Sequence, residues 1–262
     1  MKTFRPPDPQ AIAHFVREGY AVYRGVFERR DLLTSVAFIK AVYRPLLKGH
    51  TVHEAAVQAM DAFQKLPAYD RITAAPLLTL QQYLGPDVCA LGYDALWINV
   101  PQDKDPVLLK GIHNDAWSGT SVNTIFAKVF FTDCDRYNGL TMYPGSHLQG
   151  MIPVRNRAPD TDATFKAVNL ICKAGDLVIW HPLTLHSTTG HSDKNVRISM
   201  TSRYTSTETA FSSQERALGY RTLSVGPMNQ ILRLVGNDYL TPLRTYGGVV
   251  AIDKRMRRVY GG

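Results

Sequence analysis

The chain has 262 residues, 45% hydrophobic and 20% charged, a composition of folded globular proteins and not of disordered or fibrous ones. No apolar run approaches the roughly 18 residues of a membrane span, and Met1-Lys-Thr-Phe-Arg-Pro-Pro-Asp lacks the apolar centre of a secretory signal, so no membrane partner is expected. The net charge of +8 suits either an anionic partner or a mildly basic solvated surface, but the one dense basic run, Lys254-Arg255-Met256-Arg257-Arg258, has no nucleic-acid motif beside it, and no nucleic-acid partner is expected.

Residues 9–19 predict a short helix closed by Gly19, with Ala11, Ile12, Phe15 and Val16 on one face. Residues 20–27, Tyr-Ala-Val-Tyr-Arg-Gly-Val-Phe, predict a strand. Asp31 is a candidate cap for a second helix reaching about Leu47, with Pro45 near its end. Residues 51–84 read as two or three helices divided by Pro67 and Pro76, the first opened by a capping box from Thr51 to Glu54. His14, His50 and His53 lie in these helical stretches and read as surface residues.

From about residue 90 the pattern changes to short strands near 90–100, 122–132, 140–143, 168–172, 177–181, 184–189 and 196–205. Asn138-Gly139, Pro144-Gly145 and Gly175-Asp176 supply turns between them. The expected fold is an all-β core with flanking helices: a double-stranded β-helix, or jelly roll, with N-terminal helices packed on one sheet. One domain over 1–262 is expected, divided into helical support (1–89), jelly-roll core (90–205) and a C-terminal extension (206–262) of loops over one end. Cys89, Cys134 and Cys172 are odd in number, widely spaced and without a CxxC, so neither a disulfide framework nor a cysteine-held zinc is expected, and a cytoplasmic compartment follows. Nothing in the sequence sets an oligomeric state.

His113 and Asp115 are two apart, so in an extended segment they share a face. They offer an imidazole and a carboxylate, two of the three ligands of a facial-triad iron site. The third ligand must come from far along the chain: His186 is the best candidate, and His147, His181 and His191 compete with it. Arg197 follows His186 by eleven residues. A turn over Gly190–Asp193 would pair the two flanking strands and bring Arg197 beside His186 in a small barrel. A buried guanidinium calls for a carboxylate, which a dicarboxylate co-substrate would supply. Thr188 shares a face with His186, and Ser199 with Arg197.

These features resemble the phytanoyl-CoA dioxygenase-like family of Fe(II)/2-oxoglutarate oxygenases. The resemblance is carried by the first helix and strand, Ile98-Asn-Val-Pro101, His113-Asn-Asp115, Phe130-Phe-Thr-Asp133, Asn138-Gly-Leu-Thr-Met-Tyr-Pro-Gly-Ser-His147, Gly175-Asp-Leu-Val-Ile-Trp-His181, His186-Ser-Thr188 and Arg197. It implies that His113, Asp115 and His186 bind Fe(II), and that Arg197 and Thr188 hold the far carboxylate of 2-oxoglutarate. It further implies that Asn99 hydrogen-bonds this co-substrate, that Phe131 packs against it, and that His147 sits near the iron without ligating it. The implied reaction consumes O2 and 2-oxoglutarate, releases succinate and CO2, and hydroxylates a polar small-molecule substrate, anionic on the reading of the net charge. Trp117, Trp180, His181 and Arg203 are candidates for the substrate side. The chain departs from the family where His191 stands in place of a frequent Asn, and in the tail from 206. A jelly-roll ligand-binding protein without turnover, and a cupin-like metal-dependent epimerase or isomerase, are the alternative functions.

Overall fold

In a computed structural model, the chain is described over residues 1–92, 94–101, 111–135, 139–155, 158–188, 196–209 and 211–234. Five helices come first: α1 (Pro9–Glu18), α2 (Arg29–Leu46), α3 (Val52–Phe63), α4 (Pro67–Ala74) and α5 (Leu77–Leu84), with the strand β1 (Tyr20–Tyr23) between α1 and α2. Asp8 caps α1, and Gly19 ends it in the left-handed region at φ 82°. A side chain at Gly19 would also collide with Thr184 and His147. The capping box of α3 forms as read: the Thr51 N–H donates to Glu54 Oε2 at 2.8 Å, and the Glu54 N–H to Thr51 Oγ1 at 3.2 Å. The helix α2 starts earlier than expected, behind Glu28, and Asp31 lies in its first turn, where a carboxylate suits the helix dipole. His14 corrects its surface reading: it is buried, between the rings of Phe4 and Tyr20.

The strands are β2 (Val88–Leu91), β3 (Ala95–Asn99), β4 (Ile125–Phe130), β5 (Leu140–Met142), β6 (Val154–Arg155), β7 (Ala158–Pro159), β8 (Val168–Leu170), β9 (Leu177–Trp180), β10 (His186–Thr188), β11 (Arg197–Ser206) and β12 (Tyr220–Thr222). The single strand expected over 90–100 is thus two. A major antiparallel sheet runs β1-β9-β4-β11-β2-β12, with β3 also paired to β11, and a minor sheet runs β10-β5-β8. Tyr20, Val22, Phe126, Phe130, Val178 and Trp180 of the major sheet meet Leu140, Met142 and Leu170 of the minor one in the core between them. The outer face of the major sheet is covered by helices. Leu96, Ile98, Val129, Ile198 and Met200 pack against α2, α3 and α4, and Ala127, Leu177 and Ile179 against α1 and α5. This is the jelly-roll arrangement with its helical layer on one sheet.

Two expectations are corrected. The strands carrying His186 and Arg197 do not pair. One edge of β11 is taken by β4 and the other by β3 and β2, so β10 has no edge to join and pairs with β5 instead, His186 opposite Met142. Among the described residues no pairing closes the two sheets into a barrel. The proposed turn at 190–193, His191 and the basic run at 254–258 lie outside the described residues. The C-terminal extension is also not all loop. It carries α6 (Ser213–Leu218), β12 on the edge of the major sheet and α7 (Pro227–Leu234). A second capping box, Ser212 with Glu215, starts α6. The buried Glu215 carboxylate also accepts from Thr124 Oγ1 at 2.7 Å and the Ser121 N–H at 3.0 Å, which ties the extension to the loop before β4. No helix of the described residues is long and apolar enough to cross a membrane.

Candidate metal centre

The site forms between the sheets. His113 and His186 exchange backbone hydrogen bonds, His113 N–H to His186 O at 3.0 Å and His186 N–H to His113 O at 2.9 Å. This isolated bridge puts the residues opposite each other, with side chains on one face and ring centroids 4.2 Å apart. The Asp115 N–H donates to Pro182 O at 2.8 Å, fixing the third residue two positions along the same segment. One ligand atom of each of the three lies within 4.8 Å of the other two. Asp115 Oδ1 is 3.8 Å from His113 Nε2, and its Oδ2 is 3.5 Å from His186 Nε2.

Each ligand is oriented from behind. His113 Nδ1 is 2.8 Å from Gly111 O, and His186 Nδ1 is 3.0 Å from Thr184 O. A carbonyl can only accept, so each Nδ1 carries the proton and each Nε2 presents its lone pair to the shared centre. The Trp180 Nε1–H donates to Asp115 Oδ2 at 2.9 Å. Trp180 is itself held by near-parallel stacking on Phe126, centroids 5.5 Å apart. Two neutral imidazoles and one carboxylate, with their outer hydrogen bonds made, fit a divalent first-row metal of the facial-triad kind.

A cavity of about 140 Å³ opens on this cluster. Thr188, Trp180 and Arg203 line it, as do Trp97, Lys128 and Thr201. Arg197 stands deeper. It is 2% exposed, and burial pushes its guanidinium down to about 10, still protonated at neutral pH. Asn99 is directly opposite it on β3, so the two side chains share a face. Ser199, one step along that face, is fully buried with no partner for its Oγ among the described residues. A buried cation, an amide and an orphan hydroxyl on one face fit a carboxylate ligand.

Other residues singled out in the sequence are placed elsewhere. Phe131 points to the helical side, edge-on to Phe63 at 6.0 Å, and its neighbour Phe130 takes the inner face. A one-residue step along a strand exchanges faces, which the run of two phenylalanines conceals. His147 Nε2 is 3.0 Å from Val16 O, and its ring packs 5.9 Å from that of His181. Neither histidine lines the cavity; together they join the end of α1 to the turn after β5. Burial, followed by the neighbouring His147, lowers His181 to about 4. Trp117 is 64% exposed, on a short 3-10 turn just past Asp115. Lys128, Trp97 and the hydrogen bond from Trp180 to Asp115 escaped the sequence reading. For Lys128 the signal was the strand pattern along 125–130, which sets a lysine among core residues.

A family model described as phytanoyl-CoA dioxygenase (PhyH) matches residues 15–199. The chain belongs to this family. The match runs from α1 into β11 and includes His113, Asp115, His186 and Arg197. Among solved structures, this PhyH-family chain is similar to the epimerase SnoN in complex with Fe3+, alpha ketoglutarate and nogalamycin RO, at 19% identity and TM-score 0.61, covering 77% of this chain and 84% of that one. It is also similar to EctD from S. alaskensis with bound Fe, at 16% identity and TM-score 0.61 over 79% of each chain. A third is the carbocyclase SnoK from nogalamycin biosynthesis, at 17% identity and TM-score 0.56, covering 79% and 87%. At these identities the likeness is one of fold. No curated protein matches the sequence.

Proposed function

We propose that the chain is an Fe(II)- and 2-oxoglutarate-dependent oxygenase that hydroxylates a polar small molecule, with release of succinate and CO2. The observation that carries this is the metal cluster: three ligand atoms within 4.8 Å, each ligand fixed from behind by a backbone carbonyl or the Trp180 indole. The iron, when bound, would couple O2 and the decarboxylation of 2-oxoglutarate to oxidation of the substrate.

The chain's own residues supply the positioning. His113, Asp115 and His186 would hold the metal, two through imidazole nitrogens and one through a carboxylate oxygen. Arg197 would grip the far carboxylate of the co-substrate, with Thr188, Ser199 and Asn99 as its polar neighbours. Trp180 keeps the Asp115 carboxylate from turning away. Phe126, Leu140 and Trp180 wall the cavity and limit water around the reacting centre. Three free, buried cysteines suit a cytoplasmic setting.

Anaerobic addition of Fe(II) and 2-oxoglutarate should give a visible charge-transfer band that His113→Ala loses. A wild-type protein without the band, or a variant that keeps it, would sink this reading. A screen of polar metabolites for stimulated succinate release should then find one whose product gains one oxygen atom. An epimerase, as SnoN is, would return a product of unchanged mass.

A further inference from the structure

The three cysteines do not stand alike. Cys89 is fully buried on β2, and burial pushes its thiol up to about 12. Cys134 and Cys172 lie together in the core between the two sheets. The register of β4 with β9 sets Val129 opposite Leu177 and, carried on along both chains, sets Cys134 opposite Cys172. The Cys134 N–H donates to Cys172 O at 2.8 Å, and the Cys172 N–H donates to Cys134 Sγ at 3.2 Å. The two thiols also hydrogen-bond to each other. Opposed residues of antiparallel neighbours have Cα atoms roughly 4.5–5.5 Å apart, inside the range of about 4.4–6.8 Å that a disulfide spans. The setting is also not the apolar one that leaves a buried thiol inert. The hydrogen bonds from Cys172, and after them the Arg197 guanidinium, hold the Cys134 thiol below its ordinary value against the effect of burial. Cys172, donating to Cys134, is pushed up and keeps its proton.

The segment that ends in Cys134 also holds Arg197. The Phe131 N–H donates to Ile198 O at 2.9 Å. Thr132 Oγ1 accepts from the Ile198 N–H at 2.8 Å and donates to Val196 O at 3.3 Å. The backbone on both sides of Arg197 is therefore fixed by the residues just before Cys134. We propose that Cys134 and Cys172 form a reversible disulfide in hydrogen peroxide, and that this crosslink loosens the grip of Arg197 on 2-oxoglutarate. The effect on 2-oxoglutarate rests on the oxygenase reading above. The Cys134 sulfur attacks one peroxide oxygen as the O–O bond breaks, and the thiol proton leaves with the other oxygen as water. The Cys172 sulfur then displaces the hydroxyl from the sulfenic sulfur, and its proton completes a second water. Two thiols lose two electrons, and one peroxide is reduced to two waters. Closing the bond draws the sulfurs to about 2 Å, which shifts the Thr132 contacts that bracket Arg197.

The full chain, with iron withheld so that it does not consume the oxidant, is treated with hydrogen peroxide, and catalase removes the excess. Intact mass should fall by two hydrogens, and peptide mapping should join Cys134 to Cys172. Thiol titration in denaturant should then find Cys89 alone, where the reduced chain has three cysteines. Fe(II) and 2-oxoglutarate are next added under nitrogen. The treated protein should bind 2-oxoglutarate about tenfold more weakly by the charge-transfer titration, and dithiothreitol should restore the affinity. Each variant is compared with itself before and after peroxide. Cys134→Ser, and Cys172→Ala should the first not fold, should change less than about twofold, whereas Cys89→Ser should respond as wild type does. Three free thiols after treatment, sulfinic acid at Cys134 without a crosslink, or a crosslink that includes Cys89 overturns the proposal. So does a Cys134–Cys172 crosslink that leaves 2-oxoglutarate affinity within about twofold. A reduced wild type that gives no band strikes the oxygenase reading instead, and the crosslink is judged separately by mass.

Discussion

The two faces of β4 and β11 invert each other. Outward, toward the helices, stand Ala127, Val129, Ile198 and Met200, an apolar surface that α2 to α5 and α1 complete. Inward, on the same strands, stand Lys128, Arg197, Ser199, Thr201 and Arg203. Strand alternation lets ten residues of β11 serve both roles at once. The outer face stabilises the fold by apolar burial, and the inner face spends some of that stability on desolvated polar groups. The metal cluster sits where the costly face meets the minor sheet. Stability and chemistry can therefore be perturbed separately, a step of one residue apart.

Phe63→Ala strikes the outer face hardest. Its ring is fully buried against Phe38, Tyr69 and Phe131, and removing it should cost about 3–5 kcal/mol in chemical denaturation while iron binding by the remaining folded protein is unchanged. Arg197→Met is the inner counterpart. 2-Oxoglutarate affinity, measured anaerobically by the charge-transfer titration, should fall by about 2–5 kcal/mol. A parallel loss of stability and affinity would show that the two faces are not separable.

Trp180→Phe keeps the stacking on Phe126 and removes the N–H to Asp115. Iron affinity should fall about 10- to 100-fold, with little change in 2-oxoglutarate affinity once metal is saturating. The smallest effect is expected at His181. Its folded value of about 4 lies below the unfolded value of 6.5, so the fold favours the neutral ring. Its contribution is fully present above pH 6.5 and lost as pH falls toward about 4, and His14, also lowered by burial, acts in the same direction. His181→Gln should flatten that acid limb in urea melts taken from pH 7 to pH 4. An unchanged limb would move its origin to His14.

The helices, two of the caps and most strands were legible in the sequence because their signals are local: Gly19 at the end of α1, Thr51 and Glu54 at α3, and apolar spacing between. In the 206–234 segment the local capping-box spacing of Ser212 and Glu215 was passed over, and the partners Glu215 takes from residues 121 and 124, about 90 positions away, were not legible at all. The roles of Phe131 and Trp180 were hidden for a similar reason: which face of a strand a residue occupies depends on register against strands elsewhere in the chain.

His113 and Asp115 were paired by the sequence itself, since two residues at i and i+2 share a face wherever the chain is extended. The spacing from His186 to Arg197 also pointed both inward, but through a hairpin that does not form. Only the tertiary structure decided how they meet. With both edges of β11 occupied by β4, β3 and β2, His186 was left to pair with β5 and to bridge His113, and the candidate metal cluster formed between two sheets and not along one hairpin. Edge availability is a property of the assembled sheet, and no stretch of sequence contains it.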